Sequence, residues 1–440
     1  MGFIEGYADQ LSLTPGGTLA LHVSTDAPQF SIEVIREGAE ARTLSKIDAV
    51  KGAAHAVPPE AWANGCGWPV AHTISIPNDW PSGVYRARLT ANKGASDYTQ
   101  WCSTVATHDI FFIVRSAQPG ANARILMHLT TNTYNAYNRW GGHSLYGYHS
   151  VGNMRSSRVS LNRPGIGFYG DLSVSRWELP FIKWAEANDF RIDYAANYDL
   201  EARPELLAKY KLVLSVGHDE YWSAPMRDAL EGYIASGGNV AFFSGNTVCW
   251  QVRFEDGGRT MRCHKEASDE DPILMMGDRR LVTARWTDRV VNRPENFLTG
   301  VGWDQGGYHR SHGMLMDGSG AYTVQRADHW VFDGTGLKDG DTFGGKDTIV
   351  GYETDGCLFT KGADGKPVPT GADGTPKNFQ ILGLAPAASY KGHEGHACMG
   401  IYTRGGTVFN AATTDWADGI RGGDAVVQKI TSNVLRTLSK

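Results

Sequence analysis

Residues 211–244 read KLVLSVGHDEYWSAPMRDALEGYIASGGNVAFFS, and this stretch decides the fold. Its two ends, 211–216 and 239–244, are short continuous apolar runs, the signature of strands buried on both faces. Between them Ser223 is placed to cap a helix and Pro225 suits its first turn. Met226, Leu230, Tyr233 and Ile234 share one face, and Gly237 stops it. Strand, amphipathic helix, strand implies a parallel sheet covered on both sides. Working outward, 124–130 (RILMHLT), 190–194 and 406–410 read as further strands. A helix is expected over 177–188, with Ser175 and Glu178 as a capping box, and another over 424–438. The polar, aromatic segment 131–170 reads as a long loop. Residues 250–400, rich in Gly and Asp, read as loops with some strands.

The first 118 residues follow a two-residue period instead: Leu19, Leu21, Val23; Phe30, Ile32, Val34; Tyr85, Ala87, Leu89. Turn signals such as TPGG and DWPSG separate these runs, which predicts an immunoglobulin-like β-sandwich over 1–118. The Pro/Gly/polar segment 116–122 (SAQPGAN) marks a boundary, and 119–440 forms the α/β part. At 440 residues, 41% hydrophobic and 20% charged, each part is large enough to bury a core. A net charge of −5 gives no basic field for nucleic acid. The most Arg-rich stretch, 251–293, sets nine Lys/Arg against eight Asp/Glu. No apolar run approaches the ~18 residues of a membrane span. The start, MGFIEGYADQ, has no basic and apolar export pattern, and Gly6 stands where a myristoylation signal wants Ser or Thr, so a cytoplasmic protein is expected. The six cysteines contain no CxxC pair; Cys66 and Cys102 are the candidates for pairing in an oxidising compartment.

In an open parallel sheet, ligands bind beyond the carboxyl ends of the strands, where neighbouring loops diverge. Three segments lie there: TNTYNAYNRWGGH (131–143), GHDEYWS (217–223) and Gly245-Asn246. In extended chain, His218 and Glu220 at i and i+2 point the same way and can share a metal. Alternatively, Glu220 caps the next helix and His218 makes a loop hydrogen bond. Tyr134 or Tyr137 can supply a third donor, and phenolate with carboxylate and imidazole is a hard set that favours Fe(III) over zinc. The same tyrosines can equally be pocket wall, with Trp140, Tyr221 and Trp222. Spare imidazoles stand in loops at His143, His149, His309, His312, His393 and His396; the Gly392–His396 pair is not the helical HExxH. FFSGN is not GxSxG, so Ser244 is a poor nucleophile, and Cys249 reads as a small buried hydrophobe. Asn246 is placed to donate to an oxyanion. Lys265 can bring a positive charge to the crevice, and Glu353, with Asp219, is a candidate general base.

The stretches ANARILMHLTTNTYNAYNRWGG, KLVLSVGHDEYWS and GGNVAFFSGN, in that order, resemble the C-terminal domain of the N,N-dimethylformamidase large (beta) subunit family. The opening GYADQLSLTPGGTLALHVS is similar to that family's N-terminal strands. The resemblance implies a Rossmann-like, class I glutamine amidotransferase-like three-layer domain after the sandwich. It also implies hydrolysis of a small neutral amide at a mononuclear ferric iron. Carried over by motif, the ligands are Tyr137 of NAYN and His218 and Glu220 of GHDEYW, with Asn246, Lys265 and Glu353 as catalytic groups. The family's large subunits are longer, with a lectin-like insertion this chain lacks, and work with a separate small subunit; a homo-oligomer or a missing partner follows. The alternative is a non-catalytic carbohydrate- or protein-binding module on a degenerate amidotransferase-like fold, with a serine or cysteine hydrolase as a second rival.

Overall fold

In the computed structural model, which describes residues 2–92, 105–168, 172–309, 320–389, 391–392 and 394–440, the apolar runs of the deciding stretch are adjacent parallel strands. Ile125–Leu129 (β1), Ile192–Ala196 (β2), Leu212–His218 (β3), Asn239–Gly245 (β4) and Gly406–Asn410 (β5) lie in the order β2-β1-β3-β4-β5, every neighbour parallel. The sheet is mixed, not wholly parallel. Beyond β5 it continues through Glu394–Arg404, Gln380–Ala388, Gly302–Tyr308 and Glu353–Gly356, all antiparallel.

The strands alternate their side chains between two apolar clusters. Met127, Leu214, Val216 and Phe243 face one, with Phe181 and Ile182 of a helix Glu178–Ala187 and Ile430 and Val434 of the C-terminal helix Ala425–Leu438. Leu126, Val213, Val240 and Phe242 face the other, against Met226, Leu230 and Ile234 of a helix Ala224–Ala235. Strands with no polar face need this cover on both sides. Ser223 caps Ala224–Ala235 by accepting from Met226 N, as its sequence predicts. The capping box expected at Ser175 and Glu178 does not form. Glu178 turns inward, accepting from Thr130 Oγ1 at 2.8 Å and from the Tyr134 hydroxyl.

The N-terminal strands form a five-stranded and a three-stranded sheet around a shared core that contains all nine residues of the expected inward set, Leu19 to Leu89. Val84, Phe111 and Ile113 point the other way and join Ile125 and Met127 in the cluster beneath β1. Arg36 pairs both carboxylate oxygens of Glu186, at 2.8 and 3.1 Å, across the same junction. Among the described residues no helix is long and apolar enough to cross a membrane. Cys102, His312 and His393 lie outside the described residues.

Candidate active site

The strand order reverses between β1 and β3, and an open sheet leaves a crevice beyond the strand ends at such a point. Residues 131–170, expected as loop, open with a helix, Thr131–Tyr137, that is buried along nearly its whole length. Thr133 Oγ1 accepts from Glu220 N at 3.0 Å, and Asn132 Nδ2 donates to Tyr221 O at 2.8 Å. The segment after β1 is thus bolted to the segment after β3. Asp219, between the two expected ligands, points backward. Its carboxylate meets His128 Nε2 at 2.7 Å and accepts from Ser215 Oγ at 2.8 Å and Asn197 Nδ2 at 3.1 Å. With Asp219 spent inside the fold, His218 and Glu220 both face the crevice, and Asp219 is not available as a general base.

Glu220 is the centre of the cluster. Its Oε2 accepts from Tyr137 Oη at 3.1 Å, and Tyr146 Oη lies 3.1 and 3.0 Å from its two oxygens. Lys265 Nζ donates to Glu220 Oε1 at 3.1 Å, Tyr146 Oη at 2.9 Å and Tyr221 Oη at 2.8 Å, which uses all three ammonium protons. The ammonium also stands 4.1 and 4.2 Å from the ring centres of Tyr146 and Trp250. Burial pushes the Glu220 carboxyl pKa up, but Lys265 and His218 pull harder and hold it below the usual range. Burial, reinforced by Glu220, drives the Tyr137 and Tyr146 phenols well above theirs.

His218 Nε2 lies 3.8 Å from Glu220 Oε2 but 2.7 Å from Glu353 Oε2, off the axis of a hydrogen bond, so neither ring nitrogen completes one. Burial lowers the imidazole pKa, and the opposing carboxylates, Glu353 first, more than reverse this. Asn246, at positive φ (48°) just past β4, donates its Nδ2 to the same Glu353 oxygen at 3.2 Å. All six expected site residues, Tyr137, His218, Glu220, Asn246, Lys265 and Glu353, therefore meet in one place.

The cavity beside them measures about 100 Å³ and is walled by Tyr137, Tyr146, Trp250, Trp303 and Tyr308 with Arg285. Tyr146, Trp250, Trp303 and Tyr308 carry no motif or period and were missed by the sequence reading. The usable signal for Tyr146 was its place in the aromatic run after NAYN. Tyr134, Trp140 and Trp222, expected as wall, are elsewhere. Tyr134 bonds Glu178 in the core, Trp140 Nε1 donates to Glu5 at 3.1 Å, and Trp222 packs edge-on against His128. Ser244 is buried in hydrogen bonds to Ser215 and Thr247, and burial raises the Cys249 thiol well above its ordinary pKa, the opposite of an activated thiolate. His143 is held by Met154 O and His396 stands against Phe359, while His149, bonded to Ser144 Oγ, packs its ring against those of Tyr137 and Tyr146 at 6.3 and 5.9 Å between centres.

Among the described residues no three His, Cys, Asp or Glu side chains form a metal-holding group. The donor set here depends on phenols, which that combination leaves out. Two phenols and a carboxylate within hydrogen-bond distance, beside a buried imidazole that is ion-paired to Glu353 through Nε2, fit a hard, oxygen-preferring cation such as iron.

Comparisons with known proteins agree with the resemblance. The N,N-dimethylformamidase beta subunits of Alcaligenes sp and Paracoccus aminophilus are 40% and 39% identical to this chain over 83 residues, 18% of its length. The match spans 11% of the length of each of these relatives. Among solved structures, a β-D-glucuronidase of Dictyoglomus thermophilum gives 6% identity and a TM-score of 0.16 over 55% of this chain and 44% of its own. A family 123 glycoside hydrolase of Clostridium perfringens gives 8% and 0.12 over 53% and 67%. The model of the family described as N,N-dimethylformamidase beta subunit-like, C-terminal, matches residues 32–430, nearly the whole chain, and the protein belongs to that family.

Proposed function

We propose that this protein is a metal-dependent hydrolase of the C–N bond in small neutral amides, with a mononuclear ferric iron at the β1/β3 crevice. The observation that carries the reading is the meeting of Tyr137 and Tyr146 on the two oxygens of Glu220. These three are the ligands we assign. His218, named as a ligand by motif, lies closer to Glu353 than to Glu220, and we assign it to proton handling with Glu353. When bound, the metal supplies Lewis acidity and a charge that stabilises developing negative charge on oxygen.

The chain's own groups do the rest. Lys265 keeps Glu220 ionised and ready to coordinate. The His218–Glu353 pair takes a proton from the attacking water as its oxygen bonds the carbonyl carbon, then returns it to the amine as the C–N bond breaks. The products are a carboxylic acid and an amine. Asn246 fixes the Glu353 carboxylate in place for that transfer. A cavity of about 100 Å³ walled by aromatic rings suits a small neutral substrate.

Within the same proposal, residues 1–118 are an immunoglobulin-like sandwich and 119–440 an amidotransferase-like three-layer domain; the single core between the N-terminal sheets and the two clusters flanking β1–β5 support this. The relatives are named as beta subunits, and we propose that this chain too assembles with a separate subunit or with copies of itself. The test is hydrolysis of a panel of formamides and acetamides by iron-loaded protein, with Glu220→Gln as the inactive comparison. Equal activity in both would exclude the reading.

A further inference from the structure

Arg163 is 1% exposed, yet no carboxylate among the described residues bonds to it. A buried cation is normally paired, because desolvation is costly. Here every partner is neutral: Nε donates to Ser160 O at 2.9 Å, Nη1 to Trp140 O at 2.7 Å and His143 O at 3.2 Å, and Nη2 to Asn135 O and Oδ1 at 3.4 Å. Burial lowers the guanidinium pKa to about 9, which leaves it charged at neutral pH.

Three of the four acceptor residues share one property: Asn135, Trp140 and His143 belong to the segment that carries Tyr137 and Tyr146. Leu145 N also donates to Ala136 O at 3.0 Å, tying the neighbours of the two phenols together. Asn138 Nδ2 donates to Pro164 O at 2.9 Å, and Asn135 Nδ2 to Val159 O at 3.3 Å, so the same turn is fastened to 159–164 at three points. A planar fork with fixed donor directions can hold several carbonyls at set separations; a lysine's single nitrogen cannot.

We infer that Arg163 is a positioning residue for the paired phenols: its guanidinium fixes the 135–146 turn and with it the spacing of Tyr137 and Tyr146 about Glu220. The inference rests on the reading of that cluster as an iron site. Groups supporting first ligands typically change metal affinity by ~10–100-fold when removed.

The test is Arg163→Lys, which keeps the charge and loses the fork. Full-length wild type, Arg163→Lys and Arg227→Lys are loaded with ferrous iron, oxidised in air, and compared by visible phenolate–iron absorption and by iron affinity. Arg227 is an equally buried arginine that clamps Arg293 O and Pro294 O away from the site. Both variants are expected to unfold at lower temperature, but only Arg163→Lys shifts the visible band and weakens iron about tenfold or more. Should Arg163→Lys not fold, Asn138→Ala, which cuts the Pro164 tether, is expected to shift the band in the same way. A folded Arg163→Lys, or in its absence Asn138→Ala, with wild-type band and affinity overturns the inference. A wild type that forms no band at all refutes the iron site itself, a distinct outcome.

Discussion

Tyr134 and Tyr137 lie within one turn of the same helix and end in opposite settings. The first bonds Glu178 in the core and the second faces Glu220 in the crevice. Their spacing from the strand end left both open as donors; only the NAYN motif favoured Tyr137, because which face of a short buried helix meets the crevice is set by tertiary contacts. Tyr134→Phe is expected to cost about 1–3 kcal/mol of stability by removing one of the two buried hydroxyls that donate to Glu178, and to leave the iron spectrum unchanged. Denaturant unfolding and the visible spectrum check the two halves. Burial raises the pKa of Glu178 to about 7 and that of Glu295 to about 8, so both carboxyls are more protonated folded than unfolded. Their stabilising contribution is complete below the ordinary value of 4.5 and is lost as pH rises through about 7 and about 8. Asp271, held well below the usual carboxylate range by Arg253 and Thr283 against the opposing effect of burial, titrates outside that window. The share of stability that these two carboxyls supply is therefore expected to fall between pH 5 and 8, and Glu295→Gln, which cannot ionise, to remove its part of that fall when the unfolding midpoints of variant and wild type are compared across the range.

At the scale of elements, what was legible followed a regular period or a cap. The strands around 211–244 and the helix Ala224–Ala235 lie where the apolar runs and Ser223 place them. Ser223→Ala is expected to remove about 1 kcal/mol, the usual worth of such a cap, without changing iron content, as measured by chemical denaturation and elemental analysis. The helix Thr131–Tyr137 was not legible: its residues are mostly polar, and it is held by side-chain bonds to Asn197, Glu220 and Tyr221 rather than by an apolar stripe. The antiparallel strands between 302 and 404, expected only as some strands among loops, were hard to place for another reason. Their glycines lie where backbones touch: a Cβ at Gly306 would fall 1.9 Å from Thr354 O, and one at Gly395 2.2 Å from Gly306 O. Glycine required by close packing of strands has the same composition as glycine in loops. The strand so packed is the one that delivers Glu353 to His218, and Gly306→Ala is expected to lower stability and activity together.

Over the whole molecule, the boundary near residue 118 separates two sequence periods, and the two parts are joined across it, since Val84, Phe111 and Ile113 leave the N-terminal core to pack with β1 and Arg36 reaches Glu186. The isolated segment 119–440 is expected to unfold without the sharp cooperative transition of the full chain, in calorimetry of both. The site assembles from three crossovers and the far antiparallel strand, so its six expected residues, scattered from 137 to 353, became one cluster only through sheet order. The most direct test of the account is the iron content and visible spectrum of wild type beside Tyr137→Phe, Tyr146→Phe and Glu220→Gln. The account predicts equimolar iron and a phenolate band in wild type, a displaced band in each tyrosine variant, and loss of iron with Glu220→Gln; equal metal content and identical spectra in all four would contradict it.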